Sequence, residues 1–390
     1  MPKQNILLCV TGGIAAYKAI DLASRLYKEG YHVQTVLTES ACKFISPINF
    51  SAITHNQVHT SLWQDDDPIP HISLADWADL IVVAPASANS IARAAHGMAD
   101  NLLSSVLLAH TKPVLWVPAM NVHMYDNPVT QSNLLALKRQ GHHVLEPATG
   151  LLACAYEGRG KYPPNEEVLY AIKCYTSYTR DLVGVKALVS AGATVEAIDP
   201  MRKITNNSSG KMGLALARAL SLRGAEVQLV YGSVSQDVPY YLNEAIQATD
   251  VNSMRREMIS RSADNHWIFS CAAVSDYVPE QVSEQKIKKA GDLLLNLKRS
   301  PDILQEIGQK RRSDQYLVGF AAETQDLMDN ALTKLQQKNL DLIIANDLAN
   351  AGKDTNRILI IDKQGLVDTL EGDKYVLAHL ILDCVKARAK

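Results

Sequence analysis

Cys154 stands in "LLACAYEGRG", among small residues, glycines and a charge cluster. The other cysteines are Cys9, Cys42, Cys174, Cys271 and Cys384, and no two of the six make a C-x-x-C pair. That spacing excludes a zinc ribbon and a thioredoxin-type motif. It is also irregular for a disulfide framework, which a chain of 390 residues does not need in order to fold. A reducing cytoplasm fits best. Taken alone, Cys154 is either a small hydrophobe in a loop or a reactive thiol.

Other side chains pose the same choice. Ser87, Asn89 and Ser90 in "PASANS" donate to a phosphate or a planar heterocycle, or they cap the helix that follows. Asn121 and Met124 in "PAMNVHMY" face a ligand, or they are a turn residue and a gap-filler. His71 in "PIPHISLADWADL" reads by itself as a structural histidine ahead of a helix. Lys286, Lys288 and Lys289 in "KIKK" form a solvated face, or they neutralise a triphosphate. Lys334 and Lys338 are one helical turn apart, so both can reach one anion.

The elements that must position these groups follow from the apolar pattern. "NILLCV" reads as a strand, "TGG" as a turn, and Ala16, Ile20, Ala23 and Tyr27 recur at helical spacing up to a C-cap at Gly30. "YHVQTVLT" then alternates like a strand. The start of "TGGIAAYK" can offer backbone N–H groups to an anion, although its spacing is neither a Walker loop nor G-x-G-x-x-G. Strands at Leu80–Ala84 and in "PVLWVPAM" deliver "PASANS" and Asn121 to their carboxyl ends.

The same grammar returns in "KALVSAG", in "SSGKMGLALARALSLRG" as a helix capped at its serines and ending at Gly224, and in the strand "AEVQLVYG". Strand-helix-strand units of this kind pair in parallel with a right-handed crossover. The fold class is therefore α/β, with two Rossmann-like three-layer domains, each carrying a ligand site at its strand ends. The polar, aromatic stretch "KCYTSYTRDLVG" sets the boundary, giving domains 1–180 and 181–390.

The first domain resembles the flavin-dependent cysteine decarboxylases. "PAMNVHMY" is similar to their Pro-x-Met-Asn-x-x-Met signature, and "TGGIAAYK", "APASANS" and "GMADNLL" follow their other segments in order. "LLACAYEGRG" resembles their substrate-recognition clamp, with Ala155 at a common glycine and Lys161-Tyr162 at a common Arg-Met pair. These changes bear on clamp flexibility. The resemblance implies that Cys154 is the proton donor, that Asn121 holds the substrate carboxylate, that Met124 lines that pocket, and that His71 is the active-site histidine. It assigns FMN to Gly12, Gly13, Ile14, Thr38, Ser40, Ser87, Ala88, Asn89, Ser90 and Ala119.

The chemistry so implied is coherent. A carboxylate next to an ordinary thiol-bearing carbon has no good place to leave its electrons. FMN oxidation of the thiol to a thioaldehyde lets those electrons delocalise onto sulfur as CO₂ departs. The resulting enethiolate then needs hydride from the reduced flavin and a proton from a thiol. That role requires Cys154 to be protonated, unlike an activated thiolate nucleophile.

The second domain resembles the phosphopantothenate–cysteine ligases. "IDPMR", "NNSSGKMG", "SCAAVSDYVPE", "SPDIL", "GFAAET" and "KLQQKNLDLIIAND" follow that family in order. Ala193 stands where proline is usual, a change expected to loosen the turn. "AGKDTNRILIID" lacks an aromatic and an acidic residue of the pattern. The resemblance implies that phosphopantothenate attacks CTP to give an acyl-cytidylate and pyrophosphate, and that the amine of cysteine displaces CMP. Asn206 and Lys286 would handle the acyl intermediate. Ala272, Asp276, Phe320, Lys334 and Lys338 would hold CTP, with Pro301, Asp302, Ile303 and Leu304 as another wall. Mg²⁺ would neutralise the triphosphate.

Both matches in one chain resemble the bifunctional phosphopantothenoylcysteine decarboxylase/phosphopantothenate–cysteine ligases of coenzyme A synthesis. Family members place FMN between subunits of a trimer and pair their ligase halves, which implies a homo-oligomer, a dodecamer if both contacts operate. Rivals are a nicotinamide oxidoreductase, disfavoured by the missing G-x-G-x-x-G, and a non-catalytic flavin-binding regulatory subunit. Composition is that of a soluble globular protein, 47% hydrophobic and 21% charged. A formal net charge of −2 implies no broad attraction to nucleic acid or membrane. No apolar stretch approaches the ~20 residues of a membrane span, and the expected location is the cytoplasm.

Overall fold

Alternate residues of Asn5–Val10 face opposite sides of a parallel sheet, with Leu7 and Cys9 packing on one face and Ile6, Leu8 and Val10 fully buried on the other. The computed structural model describes residues 4–63, 68–153, 155–289, 291–323, 327–347 and 355–389. The chain divides into two units, Met1–Thr179 and Arg180–Lys390.

In the first unit, strands β1 (Asn5–Val10), β2 (His32–Leu37), β3 (Val58–His59), β4 (Leu80–Ala86), β5 (Val114–Pro118) and β6 (His143–Val144) form a sheet in the order β3-β2-β1-β4-β5-β6. Every pairing in it is parallel. Helices α1 (Tyr17–Lys28), α2 (Glu39–Cys42), α3 (Ile48–Thr54), α4 (Pro70–Trp77), α5 (Ala88–Ala95), α6 (Leu102–Ala109), α7 (Val122–Asp126), α8 (Pro128–Arg139) and α9 (Asn165–Tyr175) complete it. Helix α1 stops where Gly30 takes φ +92°, the left-handed turn that its glycine predicts. An antiparallel hairpin, β7 (Ala148–Leu151) and β8 (Glu157–Lys161), stands apart from the sheet. Helix α9 reaches Tyr175 with Cys174 buried, so the first residues of "KCYTSYTRDLVG" are helical.

The second unit repeats the plan. Strands β9 (Lys186–Ala191), β10 (Val195–Ala197), β11 (Lys203–Thr205), β12 (Glu226–Tyr231), β13 (Glu244–Gln247), β14 (Trp267–Ser270), β15 (Tyr277–Pro279), β16 (Leu297–Arg299), β17 (Tyr316–Glu323), β18 (Leu342–Asp347), β19 (Thr355–Asp362) and β20 (Gly365–Asp373) are joined, among the described residues, by five helices. These are α10 (Lys211–Leu222), α11 (Val251–Ser262), α12 (Ile303–Lys310), α13 (Leu327–Gln337) and α14 (Lys374–Arg388). The main sheet runs β13-β12-β9-β14-β17-β18-β19-β20, with the last two strands antiparallel. Val189, Phe269 and Val318 pack with α10 and α14 on one face; Leu188, Ile268 and Leu317 pack with α11, α12 and α13 on the other. Both sheets reverse direction of growth at their first strand, so the crevice beyond β1 and β4, and that beyond β9 and β14, are the natural ligand positions. The three-layer α/β reading is borne out.

The serines before α10 do not cap it. Its N-cap is Gly210 at φ +72°, with no side-chain cap hydrogen bond. Ala193 does not loosen its turn either. It is buried and its N–H donates to Ser233 O at 3.0 Å, a bond that proline could not make.

Candidate active sites

Thr11 bolts the first crevice together. Its hydroxyl donates to Pro85 O at 2.7 Å and accepts from Ser87 N at 2.8 Å, joining the ends of β1 and β4. Gly12 follows because a Cβ there would lie 2.5 Å from Ser40 Cβ. The chain then enters a short 3₁₀ turn and α1, and neither start is capped by a side chain. Open N–H groups and the helix dipole make this turn a place for negative charge.

A cavity of about 530 Å³ opens at these strand ends. Gly12, Gly13, Ile14, Ser87, Ala88, Ala119, Asn121 and Met124 all line it, so most of the expected first-domain set converges. Ser87 also caps α5 by accepting from Ser90 N at 3.3 Å, and Asn121 accepts from His123 N at 2.9 Å at the start of α7. Ser87 and Asn121 are thus each a cap and part of the cavity lining.

Several expected residues stand back from the cavity. Thr38 accepts from Ala41 N at 3.2 Å as the cap of α2, and Ser40 backs Gly12. Asn89 and Ser90 lie in the first turn of α5, Ser90 buried. His71 sits within the first turn of α4, not ahead of it, with Nδ1 buried and without a hydrogen-bond partner. It is absent from the described lining of the cavity. Cys154 falls outside the described residues, but Leu152 and Ala153 beside it border the cavity.

The hairpin that carries this segment is seated on the Asn121 loop. Met120 N donates to Gly160 O at 2.9 Å, and a Cβ on Gly160, at φ +124°, would lie 2.3 Å from Met120 O. A Cβ on Gly158 would lie 2.7 Å from Val122 Cγ2. Ala155 adopts φ +63°, the left-handed conformation that explains why glycine is the natural occupant there. Sequence reading passed over Thr11, Lys18, Lys161 and Tyr162 as cavity residues. The signal was present for Thr11 and Lys18, which open and close "TGGIAAYK". Burial and the charge of Lys161 together push the Lys18 ammonium below its ordinary range. Buried thiols elsewhere behave oppositely to reactive ones: burial raises Cys9, and it raises Cys271 to about 12.

At the second crevice, Ser190 accepts from Cys271 N and Ala272 N, both at 3.1 Å, tying β9 to the chain leaving β14. Asn206 Nδ2 donates to Val274 O at 3.2 Å and lies within 3.4 Å of Ala273 O. Ser300 N donates to Asp276 O at 2.9 Å, and Ser300 Oγ to Ser275 O at 2.6 Å. Asp302 caps α12 through Gln305 N at 3.0 Å while its other oxygen meets Lys338 Nζ at 2.9 Å. Lys338 N bonds back to Lys334 O at 3.0 Å, continuing the turn of α13. Asn206, Ala272, Asp276, the Pro301–Leu304 wall and Lys338 therefore form one connected rim. Phe320 is half-buried against the sheet core.

Lys286 is exposed on the loop after β15, and that loop is held by a pair the sequence reading quoted but did not assign. Asp199 accepts from Ile287 N at 3.1 Å, while Arg202 donates to Ile287 O at 3.2 Å. Burial pushes the Asp199 carboxyl up, but N–H groups of Met201, Ile287 and Arg202 and the Arg202 guanidinium outweigh it and hold the group at about 2. Residues 351–354 of the atypical tail segment lie outside the described residues; β19 begins at Thr355.

The Flavoprotein family profile matches residues 1–176, and that of the DNA/pantothenate metabolism flavoprotein C-terminal domain matches residues 182–388. The coenzyme A biosynthesis bifunctional protein CoaBC of Bacillus subtilis is 46% identical over 371 residues, covering 93% of this chain and 91% of that protein. The protein of the same name from Haemophilus influenzae is 42% identical, covering 93% and 92%. The chain belongs to the bifunctional coenzyme A biosynthesis protein family. Among solved structures, the C-terminal domain of a CoaBC protein is 33% identical, with a TM-score of 0.46, covering 54% of this chain and 97% of that one. Membership of the bifunctional coenzyme A biosynthesis family bears out the resemblance read from the two motif sets and retires the nicotinamide rival. A flavin is the cofactor of the first unit's family.

Proposed function

We propose that the first unit is an FMN-dependent phosphopantothenoylcysteine decarboxylase and the second a CTP-dependent phosphopantothenate–cysteine ligase. The two activities are those of the bifunctional family, and they act in sequence: the ligase makes the acid that the decarboxylase consumes. The observation that carries the reading is the cavity at the β1–β4 crevice. It joins an open anion-binding turn, small residues at 87, 88 and 119, and the Asn121 amide within one space. Apolar walls from Ile14, Met120 and Met124 suit a planar ring, so these residues fit a flavin mononucleotide.

When bound, the flavin supplies a two-electron acceptor and donor. The protein's own groups do the rest. The Gly12–Ile14 turn and Ser87–Ser90 hold the cofactor, backed by Thr38, Ser40 and Ala119. Asn121 orients the substrate carboxylate, and the apolar wall at Met124 keeps water from it. Cys154, on the clamp hairpin, delivers the proton that completes the product. His71 reaches the reacting centre from a neighbouring subunit in a trimeric assembly, in keeping with its place away from the cavity of its own chain.

In the ligase unit, the connected rim of Asn206, Ala272, Asp276, Pro301–Leu304 and Lys338 receives CTP and the acyl-cytidylate, with Phe320 and Lys334 beside it. Lys286 meets the charge of the intermediate. Among the described residues no group of three or more His, Cys, Asp or Glu side chains could hold a metal ion. Mg²⁺ arrives with the triphosphate, whose oxygens carry it. Paired ligase halves and trimeric decarboxylase halves build a homo-oligomer working in the cytoplasm; no described helix is long and apolar enough to cross a membrane.

One assay tests the whole scheme. With phosphopantothenate, cysteine, CTP and Mg²⁺, the purified chain should release CMP and CO₂ in equal amounts and carry a yellow chromophore. CMP without CO₂, from yellow protein, refutes the decarboxylase assignment; no CMP refutes the ligase assignment.

A further inference from the structure

Two ammonium groups border the first cavity. Lys18, in the first turn of α1, and Lys161, at the end of β8, both line it. Among the described residues neither makes an ion pair. Asp21, one turn along α1 from Lys18, is engaged by Arg25 at 2.7 Å and Asn165 at 2.8 Å. Lys161 Nζ comes within 3.3 Å of where a Cβ on Gly150 would stand, so the glycine leaves room for its head group.

A third group lacks a partner. Tyr162, at the edge of the same cavity, is 3% exposed and its hydroxyl is buried with no hydrogen bond. Lys18 Nζ stands 5.3 Å from the centre of its ring. A buried donor without an acceptor is costly, and two like charges beside one cavity, Lys18 half-buried and Lys161 exposed, repel. One species relieves both: a dianion with several acceptor oxygens. A single carboxylate carries half that charge, whereas a phosphate monoester matches two lysines and a neutral donor.

We infer that Lys18, Lys161 and Tyr162 form a cradle for a phosphate monoester beside the Gly12–Ile14 turn. The inference rests on the decarboxylase reading, in which both FMN and the substrate carry such a group. Neither lysine nor the tyrosine belongs to the flavin-contacting set expected from the motifs.

The test uses the full chain and two ratios. Flavin fluorescence gives the preference for FMN over riboflavin, and steady-state kinetics gives the preference in kcat/KM for phosphorylated over dephosphorylated pantothenoylcysteine. Lys161→Ala should lower one of these about tenfold, and Tyr162→Phe the same one about threefold, while Lys161→Arg restores it. Loss of the FMN preference assigns the cradle to the cofactor; loss of the substrate preference assigns it to the substrate. Variants that stay yellow with both ratios within twofold of the parent overturn the inference. If Lys161→Ala holds no flavin at all, Tyr162→Phe decides on the same two ratios. A colourless parent chain would instead sink the decarboxylase reading, and is seen before any variant is made.

Discussion

Gly160 offers the sharpest test of how the clamp is held. Replacing it with alanine puts a Cβ 2.3 Å from Met120 O, against about 3.5 Å for relaxed non-bonded atoms. The carbonyl must retreat by about 1 Å, which in a packed region costs about 1–3 kcal/mol. The backbone at φ +124° adds about 1–3 kcal/mol for any residue bearing a Cβ. The cheapest release is for β8 to lift, breaking the 2.9 Å bond from Met120 N and drawing the hairpin, with Leu152 and Ala153, away from the cavity. A combined cost of about 3–4 kcal/mol, spent on clamp position, predicts a fall of about 100-fold or more in decarboxylation. The assay is CO₂ release from phosphopantothenoylcysteine by Gly160→Ala, with CMP release from the same preparation as the internal control. Decarboxylation within threefold of the parent, in protein that retains flavin, would show that the hairpin is not registered through this contact.

Cys154→Ser should retain flavin and CMP release but stall before phosphopantetheine, leaving an oxidised, decarboxylated species detectable by mass spectrometry; normal product formation rejects the assigned role. Gly12→Ala should purify with much less flavin absorbance, because its Cβ meets Ser40 Cβ at 2.5 Å. Lys338→Ala should raise the KM for CTP about tenfold and leave decarboxylation unchanged, measured by CMP release at varied CTP. Asp181 predicts a pH dependence. Burial pushes its carboxyl up, but Arg223 and Lys386 outweigh that and hold it at about 2, below its ordinary 3.8. A depressed carboxylate stabilises the fold above its ordinary value and ceases to do so as pH falls through the folded one, here between 3.8 and 2. Asp181→Asn should cost about 2 kcal/mol at pH 7, with the gap in urea midpoint closing toward pH 2; a gap independent of pH would contradict this account.

Much of this was legible in the residues because the α/β pattern repeats one simple rule. Apolar runs of five or six residues ending in glycine or small hydroxyls announced β1, β4 and β9, and the ligand crevices follow from where those runs stop. What the pattern could not supply was long-range pairing. Thr11 matters through Pro85 and Ser87, and Asp199 through Ile287, contacts about 75 and 90 residues apart along the chain. The same limit explains Ala193, whose neighbour Ser233 was invisible to local reading, and α10, which dispenses with its serine cap because Gly210 makes the turn. Lys161 and Tyr162 looked like departures from a motif; only folding brings them to the cavity that contains Lys18.

The last helix has a consequence for how the chain is made. Leu377, Ile381, Leu382 and Val385 of α14 are fully buried among residues of β9, β12 and α10, which are encoded some 150–200 residues earlier. The unit at Arg180–Lys390 cannot close its core until α14 has been made, whereas the unit before it has its final packed helix by Tyr175. The first unit should therefore fold on nascent chains well before the second does, and a ribosome paused before α14 is made would carry a half that is already finished.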